Sequence, residues 1–238
     1  MIFIYSGEVP VLDRRLRYEL GANHRLLTIP DAPEGRWAAL EAKDYFQSCG
    51  LNAHALSKRA YGNKQQLRDE IFTSDAVYLS GGNTYRFLAY AREIGLFSML
   101  QTFESLGGII AAESAGSIIL SSNISTAAIP TTCPDENNVG VTEFNGMGRV
   151  PFHVSPHFVP DATSAAGEMV ELQHLANLSG TPVLILPDGA GVVVQEDEII
   201  FSVGSPAWVD AVSDRSPNEA LSGRAPDQSS SNGQSLAG

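Results

Sequence analysis

An α/β fold, doubly wound around a mainly parallel sheet, is the class this sequence predicts, and three observations predict it. The short runs IFIY, AVYL, GIIAA and VLIL are apolar without alternation, the pattern of strands covered on both faces. Helical stretches fall between most of them, so the order reads strand, helix, strand. Polar or glycine-flanked residues follow directly on several runs, where folds of this class keep their chemistry.

The elements follow in order. Ile2–Tyr5 is a strand, and Arg25–Pro30 is a second that Pro30 closes. Glu34–Ser48 reads as a helix, with Ala38, Ala42 and Tyr45 at i, i+4 and i+7 beside Trp37 and Leu40. Gly50 marks its end, and Leu51–Leu56 is a strand. Lys64–Phe72 is helical, with Leu67 and Ile71 four apart. The strand Ala76–Leu79 ends on Gly81-Gly82-Asn83, and the helices Thr84–Ile94 and Phe97–Leu106 follow. Gly108–Ala112 runs into Glu113-Ser114-Ala115-Gly116 and a helix to about Leu120. Ser121–Arg149 is irregular, and loops of such length are usually functional or mobile. Val150–Val154 is a strand leading to Pro156-His157-Phe158, and Ser164–Leu178 is a helix. Val183–Leu186 is a strand ending at Pro187-Asp188-Gly189, and Val192–Gln195 with Ile199–Val203 forms a hairpin.

Composition narrows the function. The chain has 238 residues, 15 Lys and Arg against 27 Asp and Glu, and a net charge of −12. Phosphate neutralisation needs clustered Lys and Arg, so a nucleic-acid partner is not expected. Docking on an anionic membrane is disfavoured for the same reason, and no apolar run approaches a membrane span. The start MIFIYSGEVP lacks the basic and apolar regions of a secretory leader, so a cytoplasmic location is expected. Cys49 and Cys133 are expected as two unpaired thiols. From residue 213 the chain is rich in Ser, Gly, Pro, Asn and Gln, and it is read as a disordered tail behind one domain over 1–212.

Four strand ends carry candidate chemistry: Gly82-Asn83, Ser114, His157 and Asp188. A Ser, a His and an acid, far apart in sequence, are the parts of a nucleophilic triad. Ala112-Glu113-Ser114-Ala115-Gly116 places small residues around the Ser, as a sharp nucleophile elbow requires, with Ala112 where G-x-S-x-G has its first Gly. In that turn the Ala115 N–H faces an oxyanion, and Gly82 offers a second backbone donor. A capping role for Ser114 and an ordinary turn at Gly82 are the simpler alternatives. His153 lies four residues before His157, on the same sheet face if the strand continues. No third ligand has a recognisable spacing, so neither a metal nor another cofactor is expected. His24, His54 and His174 read as surface or satisfied side chains.

The segments SGGNTYRFL (80–88), ESAGSIIL (113–120), VPFHVSPHF (150–158) and VLILPDGAG (183–191) together resemble the serine peptidases of the aspartyl dipeptidase (peptidase E) and cyanophycinase group. The resemblance extends over roughly 1–212. It implies a mainly parallel sheet like that of class I glutamine-amidotransferase domains, Ser114 as nucleophile and His157 as base. It puts Asp188 at the family's acid, one methylene shorter than Glu, with Asp135 in the intervening loop as the alternative. The implied reaction is dipeptidase-like cleavage of small peptides, without a cofactor, by a monomer or homodimer.

Two departures bear on the substrate. The segment 158–182 holds no Lys or Arg, where the family carries a basic residue for an acidic substrate side chain. Glu113 adds a negative charge beside Ser114, and Glu113 and Asn83 are the candidates for the substrate pocket. A neutral or basic residue, rather than Asp, is therefore expected on the acyl side. The alternatives are a cyanophycinase-like exopeptidase acting on β-Asp-Arg, although Gly81-Gly82-Asn83-Thr84 looks like the dipeptidase branch, and an inactive binding module of the same fold. Position 114 is Ser, which disfavours amidotransferase chemistry because that requires Cys at the elbow.

Overall fold

The computed structural model describes residues 1–212, and the stretch read as a disordered tail lies outside them. Five parallel strands build the centre: β1 (Ile2–Tyr5), β2 (Leu26–Ile29), β3 (Ala53–Ala55), β4 (Ala76–Leu79) and β5 (Ile109–Glu113). The hairpin β8 (Gly191–Gln195) and β9 (Glu198–Val203) adds two antiparallel strands beside β1. The order across this sheet is β3-β2-β4-β5-β1-β8-β9. A smaller second sheet, in the order β10-β7-β6, pairs β6 (His153–Phe158) in parallel with β7 (Val183–Pro187). β10 (Ala207–Val209) runs antiparallel to β7.

Alternation along each strand divides the core. Phe3, Tyr5, Leu26, Ala76, Tyr78 and Ala111 face one side, where α1 (Pro10–Leu20) and α2 (Arg36–Ser48) cover them with Leu12, Leu16 and Phe46. Ile2, Ile4, Leu27, Val77, Leu79 and Ala112 face the other side. Residues of α3 (Lys64–Phe72), α4 (Thr84–Ile94), α5 (Leu96–Ser105) and α6 (Ala115–Leu120) cover that side. Val154, Leu184 and Leu186 of the second sheet join this same core. Val183 and Ile185 turn the opposite way, onto Leu172 and Ala176 of α7 (Ala165–Ser179).

The mainly parallel central sheet flanked by helices is the expected one, and the strands that carry His157 and lead to Asp188 belong to a second, smaller sheet. α1 was not foreseen. Its sequence PVLDRRLRYEL is largely charged, and only the stripe Leu12–Leu16 and a Pro in the first turn mark it as a helix. The strand expected over 150–154 begins at His153 and continues to Phe158. Trp37, expected beside the apolar face of α2, is exposed, and Ala39 and Phe46 are the residues buried there. No helix among the described residues is long and apolar enough to cross a membrane.

Candidate active site

The carboxyl ends of β1, β4 and β5 converge, and Ser114 sits where β5 turns into α6. Its φ of 51° and ψ of −117° lie in a region that costs a non-glycine residue about 1–3 kcal/mol. The turn is held from both sides. The Ser114 N–H donates to Tyr5 O at 3.2 Å, and the Ser117 and Ile118 N–H groups donate to Ser114 O at 2.9 and 3.0 Å. Gly116 is required by close packing, since a Cβ there would lie 2.4 Å from Leu79 O.

His157 also has positive φ, 61°, and the β6–β7 register shifts between Pro156 and Phe158. This irregularity separates it from His153. The His153 ring is buried against Asn123 O and Ser179 Oγ, each at 3.2 Å, so the two histidines do not form a pair on one face. The His157 N–H donates to Ser6 Oγ at 2.7 Å, and the Ser6 hydroxyl donates to Leu186 O at 2.9 Å. Ser6 follows β1, so one buried hydroxyl joins the two sheets under His157.

The imidazole spans Ser114 and Asp188. Its Nε2 lies 2.8 Å from Ser114 Oγ, and its Nδ1 lies 2.7 Å from Asp188 Oδ1. A carboxylate only accepts, so Nδ1 carries the proton and Nε2 is left to accept from the serine hydroxyl. The Asp188 side chain is 70% exposed, which leaves this end of the array open to solvent. Asp135 is engaged elsewhere: its Oδ2 accepts the Thr84 N–H at 2.8 Å, at the start of α4. The Gly82 and Ala115 N–H groups have no acceptor among the described residues.

Asn83 is not where a substrate-pocket residue was expected. Its Oδ1 caps α4 through the Arg86 N–H at 2.9 Å, its Nδ2 donates to Glu136 O at 3.0 Å, and it lines neither cavity beside Ser114. The Gly82 turn is fixed by a pair that sequence reasoning missed. The buried Asp31 carboxylate accepts the Asn83 N–H at 2.9 Å and the Arg86 Nε–H at 2.8 Å. Gly82 has φ 141°, and a Cβ there would meet Asp31 Oδ2 at 2.5 Å. The signal was Asp31 directly after Pro30, at a strand end like the other candidates.

Two cavities flank Ser114 and His157. One, of about 310 Å³, lies toward α1 and α2 and contains Glu8, Asp13, Trp37, Glu41, Tyr78 and Glu113. Glu113 accepts a hydrogen bond from the Tyr78 hydroxyl there. The other, of about 340 Å³, lies between α7 and the segment after α6, and Thr84, Thr126, Asp135 and Glu168 are among its walls. Neither is lined by Lys or Arg. Glu168, in the cation-free segment 158–182, is a largely buried acid on this wall, and nothing in its sequence context distinguishes it from a solvent-facing helical Glu.

The sequence model of peptidase family S51 matches residues 4–202. The chain belongs to peptidase family S51. A peptidase E of Streptomyces coelicolor is 31% identical over 135 residues, covering 54% of this chain and 52% of the relative. A peptidase E of Salmonella arizonae is 25% identical over 145 residues, 59% of this chain and 61% of the relative. The S51 chain thus spans about half to three fifths of these curated relatives. A crystal structure of a peptidase E-type protein of Listeria monocytogenes superposes with a TM-score of 0.69 at 22% identity, over 85% of this chain and 96% of the other, and shares the fold.

Proposed function

We propose that this S51 chain is a serine peptidase of small peptides, in which Ser114 is the nucleophile, His157 the general base and Asp188 the acid that orients it. The reading rests on one observation, the continuous hydrogen-bonded array from Ser114 Oγ through the imidazole to Asp188. Asp135 is the less favoured acid because its carboxylate is committed to the Thr84 N–H.

In the first step Ser114 Oγ attacks the peptide carbonyl carbon while its proton passes to His157 Nε2. Asp188 stabilises the resulting imidazolium through Nδ1–H. The carbonyl oxygen becomes an oxyanion, and the free N–H groups of Gly82 and Ala115 are its proposed donors. Collapse breaks the C–N bond, and His157 delivers its proton to the leaving amine. Water, deprotonated by His157, then cleaves the Ser114 ester and restores the enzyme. With no Lys or Arg on either cavity, an Asp side chain on the acyl side finds no counter-charge.

A fluorophosphonate probe tests the nucleophile. It is expected to label Ser114, with labelling abolished in Ser114→Ala and slowed at least a hundredfold in His157→Ala. Peptide hydrolysis, read as released amine from varied dipeptides, is expected to be lost in the same variants. A folded protein that neither labels nor hydrolyses any peptide is a binding module, and the proposal fails.

A further inference from the structure

The cavity between α7 and the segment after α6 contains more unsatisfied polar groups than an apolar pocket explains. α7 turns Ala165, Glu168, Leu172 and Ala176 inward, so one acid interrupts an otherwise apolar face. Glu168 is only 8% exposed, and its carboxylate has no hydrogen-bond or ionic partner among the described residues. Thr84 and Thr126 line the same cavity, at 0% and 2% exposure, and the Oγ1 of each is also without a partner. Burying two unpaired hydroxyls costs free energy that nothing among the described residues recovers, and the Glu168 carboxylate beside them faces the cavity without a counter-charge.

Their chemistry identifies what is missing. A carboxylate only accepts, and a hydroxyl keeps acceptor lone pairs. Asp135 adds another carboxylate to the wall, and no Lys or Arg lines the cavity. The complement is a group that donates several hydrogen bonds, accepts none and carries positive charge, which describes an ammonium or guanidinium. Ile118, Ala127, Ile129 and Pro130 line the approach, suited to the apolar stem that carries such a head group. The segment that closes the cavity is tied down. The Thr131 N–H and Oγ1 donate to Glu171 of α7 at 2.9 and 2.7 Å, and Asp135 holds the start of α4.

We propose that Glu168, with Thr84 and Thr126, forms a specificity site for a Lys- or Arg-type side chain on the residue whose carbonyl Ser114 attacks. This rests on the serine-peptidase reading above. It goes beyond an absence of counter-charge for Asp, because it names the group that supplies selectivity.

Binding to the Ser114→Ala chain tests the site without requiring turnover. Titration calorimetry compares Lys-Leu with norleucyl-Leu, which keeps the stem and lacks the ammonium. Lys-Leu is expected to bind at least about tenfold more tightly, with the ratio falling to near one in Ser114→Ala/Glu168→Gln. A ratio near one without the Glu168 change overturns the proposal, as does a ratio that survives it. If acetylating the amino terminus abolishes binding of both peptides equally and Glu168→Gln weakens both equally, the cavity holds the α-ammonium and the side-chain assignment falls. Should Glu168→Gln fail to fold, Thr126→Val is expected to lower the same ratio, and a ratio it leaves unchanged counts against the site. Failure of the underlying reading looks different: the wild-type chain then shows no fluorophosphonate labelling, whatever the binding ratio.

Discussion

Asp13 shows what one misplaced charge costs. It is 2% exposed at the floor of the cavity under α1 and α2, and Tyr45 donates to its Oδ2 at 2.6 Å. Burial raises its pKa to about 6, and the Tyr45 hydroxyl offsets only part of that. The unfolded carboxyl titrates near ~3.9, so between about 4 and 6 the native chain binds more protons than the unfolded one. Stability from this group is therefore fully present below about pH 4 and lost as pH rises through about 6, by roughly 2–3 kcal/mol. Urea unfolding at pH 4 and pH 7.5 is expected to show Asp13→Asn gaining on the wild type by about that amount at the higher pH. A difference between the two proteins that does not change with pH rules the account out. Single residues also bound what could be read in advance. Ser114 and Asp188 directly follow a strand and His157 is the last residue but one of β6, so each was legible at or near a strand end. Asp31 and Ser6 were not, because a short polar residue after a strand looks the same whether it tethers a loop or only caps one.

Two glycines in α6 and α7 make opposite demands on their helices. Gly116 in α6 packs against β4, and adding a methyl places it 2.4 Å from Leu79 O and 2.9 Å from Leu79 Cβ. α6 must then move outward, taking with it the turn that holds Ser114. Gly116→Ala is expected to cost about 1–3 kcal/mol in denaturant unfolding and to slow fluorophosphonate labelling at least tenfold. Gly167 in α7 meets nothing within 4 Å, so Gly167→Ala is expected to stabilise the protein by about 0.5–1 kcal/mol through helix propensity. Equal effects from the two substitutions would refute the packing argument. Element positions were legible wherever apolar period and length agreed, as in α3 and α4. They were obscured in α1, whose buried stripe is two leucines among charges, and in β6, where the positive φ at His157 and the register shift around it interrupt the strand pattern.

The array assembles across a seam between two sheets. Ser114 comes from the larger sheet, and His157 and Asp188 come from the smaller one. Ser6 bridges them, its Oγ accepting from the His157 N–H and donating to Leu186 O. Ser6→Ala leaves two buried or half-buried backbone groups unpaired, at a cost of about 1–3 kcal/mol, and frees the His157 backbone. It is expected to lower kcat and the labelling rate together while leaving KM for small peptides near its wild-type value. A variant that loses stability but keeps kcat would make Ser6 structural only. Apolar runs and strand-end chemistry were enough to read the fold class, most of the elements and a candidate serine–histidine–acid set, because side-chain period and local burial are properties of neighbouring residues. Which strands pair, which acid meets the imidazole, and that Glu168 meets no counter-charge among the described residues follow from long-range packing. The runs of β4 and β7 are equally apolar, and only their backbone pairing, with β2 and β5 in one case and with β6 and β10 in the other, assigns them to different sheets.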